Sequence, residues 1–165
     1  LTETIDAIGA RILELIQNDA GLSVAEIAER VGLSASPCWR RIKKLEDDGV
    51  IQRRVTVLDR EKLGLTFEVY CTAKLSLPTR ENLDTFEQAV QLWPEVVQCA
   101  TVTGSADYEL RIVTRDMHAF DAFLREKLLS LGLVSNIESR IVVRAVKNTT
   151  AVPLGLVTQY ATGRV

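Results

Sequence analysis

The sequence is poor in the residues on which most compact catalytic and metal sites depend. It has one histidine, His118, and three cysteines, Cys38, Cys71 and Cys99, an odd count without a C-x-x-C pair. A lone histidine excludes a multi-histidine metal centre and leaves little for a histidine-based triad. The cysteine spacing suggests neither a zinc site nor a disulfide framework. Each cysteine lies in an apolar-patterned stretch, so three buried, reduced thiols are expected, with a reducing, cytoplasmic location. No G-x-G-x-x-G, P-loop or G-x-S-x-G string occurs. An enzyme is therefore not expected, and no catalytic residue, cofactor or metal is assigned. No uncharged apolar run approaches the ~18 residues needed to cross a bilayer, so no membrane partner is expected. Leu1, Thr2, Glu3 and Thr4 followed by an amphipathic stretch do not read as a secretory leader.

Positive charge is also not in excess. Twenty Lys and Arg face 22 Asp and Glu, a net charge of −2, so affinity for nucleic acid requires a local cluster of cations. What is present is ordinary globular composition: 165 residues, 47% apolar and 25% charged, enough for one domain or two small ones. The pattern shifts near residue 60, from helical periodicity to β-branched runs alternating with helices. The polar string Leu58-Asp59-Arg60-Glu61-Lys62-Leu63-Gly64 reads as the linker. The expected division is 1–57, a linker at 58–65, a second domain at 66–154 and a tail at 155–165.

In the first part, Ile5, Ile8, Ile12 and Ile16 share one face of a helix expected over residues 3–18. Ser23 and Glu26 form a capping-box pattern ahead of a short helix closed by Gly32. A third helix comes next, with Ser36 as expected N-cap and Pro37 at its first position. Two short helices about a tight turn, behind a supporting helix, make a helix-turn-helix signature. In the third helix Cys38, Ile42 and Leu45 form the inward stripe. Ser36, Trp39, Arg40, Lys43 and Lys44 fall on the other side or its flanks. Arg40, Arg41, Lys43 and Lys44 place four cations in five residues, with Glu46, Asp47 and Asp48 directly after them. Arg53 and Arg54 lie on an expected wing strand over 50–58. Candidate DNA-binding residues are Ser34, Ser36, Trp39, Arg40, Arg41, Lys43, Lys44, Arg53 and Arg54. Arg40 and Lys43 are expected to face the groove, and Arg41, Arg53 and Arg54 the phosphates. Trp39 reads equally as packing beside the helix or as touching the DNA backbone.

The second part reads strand, helix, strand, strand, helix, strand, at about 66–77, 79–93, 96–103, 108–114, 116–131 and 135–146. This is the ferredoxin-like βαββαβ order, with both helices on one face of an antiparallel sheet. Tyr70, Thr72, Arg111, Val113, Val142, Arg144 and Val146 are expected on the other face. That face is mixed in character and better suited to a second copy than to solvent.

The strings Val24-Ala25-Glu26-Ile27-Ala28-Glu29-Arg30-Val31-Gly32-Leu33-Ser34 and Pro37-Cys38-Trp39-Arg40-Arg41-Ile42-Lys43-Lys44-Leu45-Glu46 carry a resemblance. With Gly49-Val50-Ile51 and the turn Thr103-Gly104-Ser105-Ala106-Asp107-Tyr108, they resemble the Lrp/AsnC regulators across residues 5–154. The Asp19-Ala20-Gly21 turn also fits, although Asp-Gly-Arg is commoner there. The resemblance implies an α+β protein: an N-terminal winged helix-turn-helix domain and then a ferredoxin-like βαββαβ domain. It implies a transcriptional regulator of double-stranded DNA that responds to an amino-acid effector. It also implies a homodimer formed through the sheet, often assembled further into octamers. Gly104 and Asp107, with the intervening Ser105 and Ala106, become effector-site candidates, and Glu138 a further one. Plain hairpin-turn roles are the alternative for Gly104 and Asp107. An architectural DNA-organising protein of low sequence specificity is the alternative function.

Overall fold

In the computed structural model, which describes residues 5–157, Asp6 starts the first helix. Its carboxylate accepts the Gly9 N–H at 2.7 Å, and α1 runs Ala7–Asn18. The expected start at residue 3 lies outside the described residues. Ser23 and Glu26 close a reciprocal capping box on α2, Val24–Val31. Gly32 comes next at φ 71°, a conformation open to glycine at little cost, and lets Leu33 N–H reach the Ala28 carbonyl at 2.9 Å. The third helix, α3, spans Ala35–Asp47 with Ser34 as its N-cap residue, so the expected cap at Ser36 is corrected. Pro37 is tolerated one turn inside because the first N–H groups of a helix have no intrahelical partner to lose. Ile12, Ile16, Ile27, Ala28, Cys38 and Ile42 form the buried core of these helices.

After α3 the expected wing strand is not formed. Residues 50–58 carry no strand, and 52–58 are exposed. The backbone there finds no ladder partner among the described residues, and β-prone sequence alone does not make a strand. The turn at 60–64 is instead fastened to residues 65–68, because Arg60 donates to the Leu65 carbonyl at 2.9 Å and to Glu68 at 2.7 Å.

The sheet unit contains β1 (Phe67–Leu75), α4 (Arg80–Gln91), β2 (Val96–Thr101), β3 (Tyr108–Thr114), α5 (Met117–Phe123) and β4 (Val134–Ile141). Its order is β2-β3-β1-β4, with every pair antiparallel. Alternation along β1 buries Val69, Cys71, Ala73 and Leu75, against which Phe86, Val90, Phe120, Phe123 and Leu128 pack. Phe86 lies over Tyr108 with ring centres 4.5 Å apart. The helix expected to continue to residue 131 loosens after Phe123 into a π-helical turn over Leu124–Leu129. β2 stops at Thr101, where its partner β3 begins at Tyr108. β4 likewise ends five residues earlier than expected. Ile141 pairs with Val69, and Val142 N–H donates to the Glu68 carbonyl at 2.9 Å. The ladder with β1 stops there, so Arg144 and Val146 lie beyond the sheet rather than on its open face.

The open face carries Glu68, Tyr70 and Thr72 from β1, Glu109, Arg111 and Val113 from β3, and Glu138 and Arg140 from β4. Glu68 is buried and paired with both Arg60 and Arg111. The compact units divide after Val57 and again after Val146. By compactness, residues 147–157 group with the helix-turn-helix, while the expected domain boundary stands at 154. Of the expected tail, residues 158–165 lie outside the described residues. Cys38 and Cys71 are buried, but Cys99 is only half-buried, which corrects the expectation of three buried thiols. All three are free, and burial pushes each thiol pKa up.

Candidate nucleic-acid interface and ligand turn

Helical spacing divides α3 into two faces. Cys38 and Ile42 are buried, while Ser36, Trp39, Arg40 and Lys43 recur at i, i+3, i+4 and i+7 on the exposed side. Trp39 is 55% exposed, so its indole does not pack beside the helix. Ser34, at the turn, makes no side-chain cap hydrogen bond and is exposed.

The cation run is more committed than its composition suggests. Arg41 grips both carboxylate oxygens of Asp6, at 2.8 and 3.0 Å. The Gly9 N–H and then this guanidinium hold the Asp6 carboxyl below its usual range. Lys43 pairs with Asp47 at 3.0 Å, which raises its pKa, and Lys44 pairs with Asp48 at 3.5 Å. The anions, out of place at a helix C-terminus by dipole alone, are thus i,i+4 partners. Arg54 pairs with Glu46 at 3.1 Å. Arg40 and Arg53 make no hydrogen bond or ion pair among the described residues. Sequence reasoning missed Asp6. Its signal is an N-cap residue type just ahead of the periodic isoleucines.

The turn at 104–107 is shaped by glycine and pinned by aspartate. Gly104 has φ 123°, and a Cβ there would meet nothing within 4 Å, so conformation rather than crowding requires glycine. Asp107 N–H donates to the Ala73 carbonyl at 3.0 Å, and its Oδ2 accepts the Leu75 N–H at 2.8 Å. Part of the carboxylate therefore serves the sheet, while Oδ1 takes no bond among the described residues. The N–H groups of Gly104, Ser105 and Ala106 are likewise uncommitted there. Glu138 is not part of this turn. It sits on the open face opposite Thr72, within 3.8 Å of Arg140. Among the described residues no cluster of His, Cys, Asp and Glu could hold a metal, and no helix is long and apolar enough to cross a membrane.

Residues 68–152 match the family model of the Lrp/AsnC ligand binding domain, and residues 5–52 match that of a winged helix-turn-helix DNA-binding domain. The chain belongs to the Lrp/AsnC family. Among Lrp/AsnC relatives, the glutamate uptake regulatory protein of Zymomonas mobilis is 37% identical over 150 residues, 91% of each chain. A transcriptional regulator of Neisseria meningitidis solved with L-Met superposes with a TM-score of 0.89 at 35% identity, covering 93% of this chain and 99% of that one. An AsnC family regulator from Agrobacterium tumefaciens gives 0.88 at 38% identity, covering 92% and 98%. The protein is thus an Lrp/AsnC DNA-binding transcriptional regulator with a ligand-binding domain, and its family is not one of enzymes.

Proposed function

We propose that this regulator reads double-stranded DNA with the Ser36, Trp39, Arg40 and Lys43 face of α3. Its ligand is an amino acid held at residues 104–107. The observation that carries the reading is Arg40, an exposed guanidinium without an internal partner, beside an exposed indole on the helix after the turn. Recognition helices of this class place such side chains against base edges, where arginine pairs with guanine. Arg53 is the phosphate contact, because it too is unpaired. Ser34 offers its exposed hydroxyl to a phosphate, and Lys44, Arg41 and Arg54 contribute to the local positive field while tied to carboxylates.

The amino-acid class is supported by the turn's chemistry. Three free N–H groups suit a ligand carboxylate, and the open Oδ1 of Asp107 suits an ammonium. The L-Met complex of the Neisseria regulator supports the same class. Glu138 contributes a second, more distant carboxylate. The regulator acts in the cytoplasm, where free thiols persist. It acts as a homodimer through the open sheet face, where Val113 and Thr72 lie among charged neighbours, and dimers assemble further into octamers.

The test is a selection of tight sites from random duplexes, and then titration of all twenty amino acids by calorimetry. A defined site and one responding amino acid support the reading, and Asp107→Asn should then weaken that ligand roughly 10- to 150-fold. Asparagine can still accept the Leu75 N–H, so the fold is retained. Uniform coating of DNA with a steep salt slope would identify an architectural protein instead.

A further inference from the structure

We propose that the chain after β4 docks as a strap on α1 of the helix-turn-helix, with Gln17 as its catch, and steadies that helix. The strap leaves the sheet at Ile141 and joins the helix-turn-helix unit from Lys147.

The fastening is specific. Gln17 Nε2 donates to the Val152 carbonyl at 3.2 Å, and Val152 N–H donates to Gln17 Oε1 at 3.0 Å, across 135 positions of sequence. One side-chain amide thereby satisfies both backbone groups of one residue, as a neighbouring β-strand would. Such a catch reads extended backbone and is indifferent to the side chain at 152. The flanking sequence prepares that backbone. Pro153 biases the preceding residue toward extended conformations. Thr149 Oγ1 accepts the Ala151 N–H at 3.1 Å, which shapes the approach. Gln17 is half-buried on the last turn of α1, next to Ile16 of the buried core. Asp6, at the other end of α1, holds Arg41 of α3. The strap therefore grips the helix that positions the recognition helix.

The strap does not depend on the proposed amino-acid site; only the titration with amino acids rests on it. The experiment compares the full chain with Gln17→Ala, Val152→Pro and Val152→Ala. Amide hydrogen exchange and affinity for a selected DNA site are measured without added amino acid, then with each of the twenty. Gln17→Ala should accelerate exchange at Val152 tenfold or more and lower DNA affinity severalfold, with α2 and α3 protection unchanged. Val152→Pro deletes the N–H from the strap side without touching α1, so it should lower DNA affinity alike even if Gln17→Ala fails to fold. Val152→Ala should change nothing. Fast exchange at Val152 in the parent chain, or faster exchange in the variants with DNA affinity intact, would overturn the strap. Absence of any amino-acid response in the parent chain sinks the ligand reading, while the measurements without ligand still decide the strap.

Discussion

The two units of this regulator are organised on opposite principles. The helix-turn-helix is specified by short-range devices: a reciprocal box between Ser23 and Glu26, a left-handed Gly32, and i,i+4 pairs along α3. Its core is small and aliphatic, built on Ile12, Ile16, Ile27 and Ile42. The sheet unit depends on long-range pairing and on aromatics, with Tyr108 against Phe86 and Trp93 edge-on to Phe123. The contrast teaches where each unit can be altered. A surface helix with a small core tolerates changes on its exposed face, whereas the turn at 104–107 hangs on β1 through Asp107. A change there is felt by the fold as well as by the proposed ligand site.

The largest effect that tests this contrast is a core truncation on the aromatic side. Phe86→Ala should cost the sheet unit about 3–5 kcal/mol, because a large buried ring leaves a cavity over Tyr108. Two-probe denaturation should show that loss without an equal shift in the helix-turn-helix. Equal shifts in both would break the picture of two separately built units. Next is Arg40→Ala, expected to lower affinity for a selected DNA site by ~1–3 kcal/mol and to relax one base-pair position, with melting temperature unchanged. Arg41→Ala should behave differently, lowering stability through the lost Asp6 pairing and changing base preference little.

Smaller still is Ser23→Ala, which removes one half of the capping box. It should cost about 1 kcal/mol, visible as a lower midpoint in urea for the helix-turn-helix alone. The smallest effect concerns Asp6. Its folded-state pKa is depressed by the Gly9 N–H and Arg41, so its contribution is present above the unfolded carboxylate value near 3.9 and is lost as pH falls through the lower folded value. Both partners are about half exposed, so the effect should be only a few tenths of a kcal/mol. Asp6→Asn should flatten the acid limb of a stability-versus-pH curve, and an unchanged limb would remove Asp6 from the account.

The same contrast explains how far the sequence can be read. The local devices are legible because their residues lie three or four positions apart. Ser23, Glu26, Gly32, Thr79 and Asp116 each mark a boundary that the structure keeps. Where a boundary depends on a distant partner, sequence pattern overshoots. It extends the last strand to residue 146 because Val142, Val143 and Val146 look β-prone, yet the ladder with β1 ends at the Val69–Ile141 pair and the bond from Val142 to Glu68. The wing fails for the same reason. On the reading face, the exposed set on α3 is legible from helical spacing. The anchoring of Arg41 is not, since Asp6 lies 35 positions away. The ligand turn is legible as a turn, but the claim of Leu75 on the Asp107 carboxylate spans 32 positions and leaves no local trace.

The turn held by Arg60 has a consequence for the length of chain left unfastened between α3 and β1. Because Arg60 binds Leu65 and Glu68, and Asp59 caps the N–H groups of Glu61 and Lys62, the sheet unit effectively begins at Asp59. Only residues 52–58 remain without backbone hydrogen bonds on the way from α3. Fully stretched, such a segment spans at most about 25 Å. The free tether is thus set by Arg60 and Asp59, and losing their bonds would lengthen it by the residues of the turn they hold.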